Sequence, residues 1–112
     1  MTLKEVRDMV AEIGPPSAYH HFRENTERAT PYICYMYDGD NDMMADNRNY
    51  VGINTLVIEL YTDYRDFALE KTLEGVLRDH DLAWSRGDDY VDDEKLYIAV
   101  YTMEVIIDGE QN

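Results

Sequence analysis

The chain of 112 residues holds one cysteine, three prolines and six glycines. A lone Cys34 excludes an internal disulfide and any multi-cysteine zinc site. The glycines are scattered and form no phosphate-cradling loop, and no repeat or low-complexity linker divides the chain. Long apolar runs are missing. The best, around Leu56 to Ile58 and Ile98 to Tyr101, fall far short of the roughly 20 residues that a helical membrane span needs. Charge enters by Lys4 with no apolar stretch of signal-peptide length, so export is not expected. Basic residues are scarce, ten in all and never two adjacent. Binding a polyanion needs a basic face that releases counterions, so direct contact with nucleic acid or anionic lipid is disfavoured.

Acid and apolar residues fill the chain instead. Twenty-four Asp and Glu leave a formal charge of −14, one net negative charge for every eight residues. Hydrophobic residues at 45% and aromatics at 12%, ten of them tyrosines, argue for a packed core rather than disorder. The length fits one domain, which buries roughly two thirds of its unfolded surface. The expectation is a soluble intracellular domain over residues 1–112, with a frayed polar tail at 108–112. Such a charge suits a protein that meets basic partners or repels nucleic acid.

Thr2 and Glu5 fit a capping box, and Leu3, Val6, Met9, Val10 and Ile13 recur at helical spacing. This predicts a helix over 2–13, stopped by Gly14-Pro15-Pro16. Short strands are expected over 18–22 and 32–37, with a polar loop over 23–30 between them. A long strand over 50–62 pairs with the second of these as a hairpin with an acidic tip. Asp63 and Asp66 are candidate caps for a helix over 66–80. Phe67, Leu69, Leu73, Val76 and Leu77 point inward, with Glu70-Lys71 and Glu74-Arg78 outside. On that placement Leu73→Ala is costly and Glu70→Ala is not. A strand over 82–86, an acidic turn over 87–94 and a last strand over 95–107 complete the order α-β-β-β-α-β-β. The fold class is α+β, a mostly antiparallel sheet with two helices on one face.

In the last strand, Tyr97, Ala99, Tyr101, Met103, Val105 and Ile107 make one wholly apolar or aromatic face. The other face carries Thr102 and Glu104, so it points outward, yet it also holds Leu96, Ile98, Val100 and Ile106. The long middle strand repeats this, with Leu56, Ile58 and Leu60 inward, and Val57 and Tyr61 outward beside Thr55 and Glu59. An apolar patch on a helix-free sheet face calls for a partner or a second copy to cover it, unless the N-terminal helix or the long loops cover it within one chain. Leu96, Ile98, Val100, Val57 and Tyr61 are therefore candidate interface residues. Met43 and Met44 in the hairpin tip join them as adaptable contacts.

Signals for catalysis are weak. Asp38-Gly39-Asp40-Asn41-Asp42 resembles the start of a calcium loop, but Met43 and Asn49 stand where the EF-hand pattern wants glycine and glutamate. The acidic runs at 38–42 and 88–94 fit solvated turns. Adjacent His20 and His21 on a strand would point to opposite faces and could not chelate one metal. His80 near a helix C-terminus suits the macrodipole. Cys34 in an apolar strand packs as a small hydrophobe, with no electropositive setting to make it a nucleophile. No enzyme activity, cofactor or metal is expected.

A chain-wide resemblance adds to this. Thr2-Leu3-Lys4-Glu5-Val6-Arg7, Pro16-Ser17-Ala18-Tyr19-His20-His21-Phe22 and Pro31-Tyr32-Ile33-Cys34-Tyr35 carry its first part. Ala45-Asp46-Asn47, Leu56-Val57-Ile58-Glu59-Leu60-Tyr61-Thr62-Asp63, Lys95-Leu96-Tyr97 and Tyr101-Thr102-Met103-Glu104-Val105 complete it. These resemble a family of small tail-completion proteins, the tail terminators and head-to-tail joining proteins of long-tailed phages and prophages of Gram-positive bacteria. The resemblance implies an α+β subunit of a ring, commonly a hexamer, that caps the tail tube and meets the head connector. Its implied partners are copies of itself, the tail-tube protein and connector proteins. Its implied places are the virion and, during assembly, the host cytoplasm. Two other classes fit an acidic domain: a DNA mimic that inhibits a nucleic-acid-binding protein, and a calcium-dependent binding module. A mimic would need carboxylates in rows along one surface, whereas here they cluster in turns.

Overall fold

The computed structural model describes residues 1–20, 29–38 and 52–107. The first helix, α1, spans Leu3–Ala11. Its capping box forms as the sequence predicts: the Glu5 amide donates to Thr2 Oγ1 at 3.1 Å, and the Thr2 amide donates to Glu5 Oε1 at 2.7 Å. Gly14, at φ +122°, takes a backbone conformation that disfavours other residues and turns the chain into β1, Ser17–Tyr19. Strands β2, Tyr32–Asp38, and β3, Gly52–Thr62, form the expected antiparallel pair. Helix α2, Phe67–Asp79, starts at Asp66, whose Oδ1 accepts from the Leu69 amide at 3.0 Å. Strands β4, Trp84–Val91, and β5, Leu96–Ile107, close the chain.

These elements form one five-stranded sheet in the order β1-β2-β3-β5-β4, antiparallel except for the parallel pairing of β1 with β2. The fold class is α+β with the element order expected. Both described helices lie on one face. Val6, Met9 and Val10 of α1 and Leu73 and Leu77 of α2 are fully buried against Leu56, Ile58, Tyr101, Val105 and their strand neighbours. Strand alternation explains the sidedness, since every second residue of β3 and β5 feeds this core.

Four expectations are corrected. Residues Asp88 and Asp89 belong to β4 rather than a turn, which is confined to the Asp92–Lys95 reversal. An edge strand tolerates such charges because one of its sides is open to water. Phe67 is 61% exposed, not inward, its ring meeting the Arg65 guanidinium rather than the core. Glu70 is 4% exposed, not outside. Its Oε1 meets Arg86 Nη2 at 2.9 Å and Arg65 Nη2 at 3.5 Å, which makes its burial tolerable. Ile98 does lie on the outward face, but at 8% exposure it is covered within the chain. Tyr61 and Asp89 flank it in register on the two neighbouring strands.

Candidate assembly surface

The sheet face opposite α1 and α2 is built by the alternate residues of each strand. Across its middle run Ala18, Cys34, Glu59, Val100 and Gly87, one from each strand. The row on one side holds Tyr32, Tyr61, Ile98 and Asp89, and the row on the other holds Met36, Val57, Thr102 and Ser85. Further along, Ile53 and Ile106 stand directly opposite one another at 67% and 59% exposure. Leu96, Val57, Val100 and Tyr61, expected as interface residues, all lie on this face and are half-buried. Met43 and Met44, and the calcium-like run beyond Asp38, lie outside the described residues. Ile53 is an addition to the expected set, although the alternation that places Val57 and Tyr61 outward places it there too.

Charge on this face is one-sided. Asp38, Glu59, Asp89 and Glu104 lie on it, and among the described residues none of its strand positions is a lysine, arginine or histidine. Glu59 sits near the centre, between Val57 and Tyr61 along β3 and between Cys34 and Val100 across the sheet. Its Oε1 accepts from the Tyr61 hydroxyl at 2.8 Å, and among the described residues no cation lies within ion-pair reach. The Tyr61 ring stacks on Tyr32, with centroids 4.7 Å apart and planes 9° from parallel. Burial, then the hydrogen bond to Glu59, pushes the Tyr61 phenol well above its ordinary pKa.

Burial likewise raises Tyr37 and Tyr101 in the core. The folded chain therefore keeps phenol protons that the unfolded chain loses near pH 10. Stability is complete below about pH 10 and falls as pH rises further. Urea midpoints measured at pH 8 and above pH 10 check this, and Tyr61→Phe should shrink the difference.

The opposite face carries a second polar group, beneath α2. Arg86 of β4 donates to the Tyr97 hydroxyl at 3.0 Å and to the Tyr101 hydroxyl at 3.4 Å. It also pairs with Glu70 and Asp88. Tyr101 donates onward to Glu74 Oε2 at 2.8 Å. Burial alone would lower the Arg86 pKa, but these phenols and the Glu70 charge outweigh it and raise it. Hydrogen bonding from Tyr97, then the Arg86 charge, holds the Asp88 carboxyl below the usual range. The group is spent on internal bonds that fasten α2 to β4 and β5, and its ionised side chains face one another rather than a cleft.

The remaining candidates are structural in kind. His80 closes α2, and its Nε2 lies 3.2 Å from Glu12 Oε2 at the end of α1, so it bridges the two helices. His20 follows β1 at φ +70°, and His21 lies outside the described residues. Cys34 is buried. Among the described residues no three His, Cys, Asp or Glu side chains gather as a metal site, and no helix is long and apolar enough to cross a membrane. In comparison with known proteins, no family model and no curated protein matches the chain.

Proposed function

We propose that the protein is a structural assembly subunit, a tail-terminator or tail-completion protein that forms a ring at the head–tail junction of a long-tailed phage or prophage. The observation that carries this is the sheet face opposite the two described helices: broad, rich in aliphatic and aromatic side chains, and acidic, with no base at its described strand positions. Such a surface is costly in a free monomer and useful in an assembly. Fully burying an exposed aliphatic side chain contributes about 1.5–3 kcal/mol; Ile53 and Ile106 stand to gain most of this, and half-buried Val57 and Val100 a part of it. The resemblance over the strand and helix motifs supplies the biological setting, and the charge fits it. A ring through which DNA passes gains from an acidic wall that repels phosphate and binds none of it. In this reading the protein works without catalysis, and its partners are its own copies, the tail-tube protein and the head connector.

Repulsion between copies that each carry −14 opposes assembly and is screened by salt, with a Debye length near 10 Å at about 0.1 M. Association should therefore strengthen as salt rises, the reverse of a DNA-binding protein. Sedimentation across a salt series and negative-stain imaging, with and without tail tubes that lack their terminator, test this. Rings in solution or caps on tubes are the expected result. A protein that stays monomeric at every salt concentration and leaves tubes bare would end this reading.

A further inference from the structure

If the face opposite α1 and α2 is covered in the assembly, Glu59 is the residue that selects what covers it. An apolar partner would strand this carboxylate in a dry contact with, among the described residues, only the Tyr61 hydroxyl to serve it, and an unpaired buried charge is strongly unfavourable. The same face of a second copy would set Glu59 and its acidic neighbours against their own likeness. The occupant must therefore bring apolar surface and a cation together.

This chain carries such a surface elsewhere. Of the described basic side chains, Lys4, Arg7, Arg65 and Arg86 lie within reach of carboxylates, and Arg78 lies over the Trp84 ring. Lys95 sits in the acidic reversal between β4 and β5, beside Asp92, Asp93 and Glu94. Lys71 has no carboxylate partner among the described residues and is exposed on α2, one turn after Phe67. Phe67 is 61% exposed beneath the Arg65 guanidinium, 4.4 Å from its ring centroid, and nearby Tyr64 is 72% exposed. Two exposed rings and the Lys71 ammonium thus fall within eight residues at the start of α2, on the helix side of the sheet.

We infer that the corner of Tyr64, Phe67 and Lys71 of one copy docks on the Glu59 face of the next, with the Lys71 ammonium meeting the Glu59 carboxylate. This deepens the ring reading and rests on it. The two surfaces lie on opposite sides of one sheet, so a single pair of copies cannot satisfy both reciprocally. The contact is head-to-tail, the arrangement that closes into rings or runs on into filaments.

Charge exchange tests it. Glu59→Lys and Lys71→Glu should each weaken association roughly thirtyfold or more, as measured by sedimentation, while circular dichroism stays native. Their equimolar mixture should assemble again. At one junction the lysine introduced in the first variant meets the glutamate introduced in the second, and at the alternate junction the wild-type pair forms. Lys71→Glu is the safeguard against misfolding, since its site is exposed. Wild-type assembly with both single variants equally competent, or a mixture that fails to recover, overturns this contact and leaves the ring reading standing. Discrete dimers formed only when wild type is mixed with Glu59→Lys would mean face-to-face pairing and also overturn it. A wild-type chain monomeric at all salt concentrations removes both.

Discussion

Arg86→Ala is expected to destabilise the fold by about 3–5 kcal/mol, the largest effect of any single polar substitution described. Among the described residues, removing the guanidinium leaves Glu70 buried with Arg65 alone, at 3.5 Å, and its Oε2 already has no hydrogen-bond partner. The hydroxyls of Tyr97 and Tyr101 lose a donor in the same step. A urea titration reads the loss directly. The double variant Glu70→Leu with Arg86→Met should recover most of it, because apolar replacement of a whole buried pair is often neutral or stabilising. A single variant with wild-type stability would mean that water reaches Glu70 freely.

Leu73→Ala is expected to cost about 2–5 kcal/mol. Leu73 is fully buried on the stripe of α2 that also holds Leu77, in the core with Ile58 and Tyr101. The spread depends on how far the helix can settle into the space left behind. Urea midpoints for Leu73→Ala and Lys71→Ala, two residues apart on opposite sides of the helix, separate burial from helix propensity. Equal effects would place the buried stripe elsewhere. Glu70→Ala, nearly silent on the sequence expectation, belongs instead with the costly changes.

The elements legible in the sequence are those whose signal is local. A capping box, a three-four apolar stripe and a two-residue alternation are each read within a few positions, and α1, β3, α2 and β5 fall where they point. What escapes depends on distant residues. Nothing in the run Glu70-Lys71 says which of the two is buried; that is decided by Arg86, sixteen positions later and on strand β4. Asp88-Asp89 reads as a turn by composition, and only the pairing of β4 along β5 makes it strand. Ile98 reads as outward by parity, which is right, and as exposed, which is not, because Tyr61 beside it belongs to a strand far off in sequence. The candidate assembly face is visible as an excess of apolar residues on the outward side. That Glu59 has no cation beside it among the described residues is not, since it is recognised only by surveying every strand.

The pairing of β3 with β5 also sets a timetable for the nascent chain. Eleven register pairs join them, from Thr62 with Tyr97 to Gly52 with Ile107, across 35 to 55 positions of sequence. At roughly 5–20 residues per second, synthesis separates the emergence of β3 from that of β5 by several seconds. Through that interval Leu56, Ile58 and Leu60 have β2 on one flank and an unpaired edge on the other. The helices cannot seat on a sheet that lacks its other half. A chain stalled before Leu96 would therefore be an exposed, apolar-edged hairpin and not a smaller version of the domain.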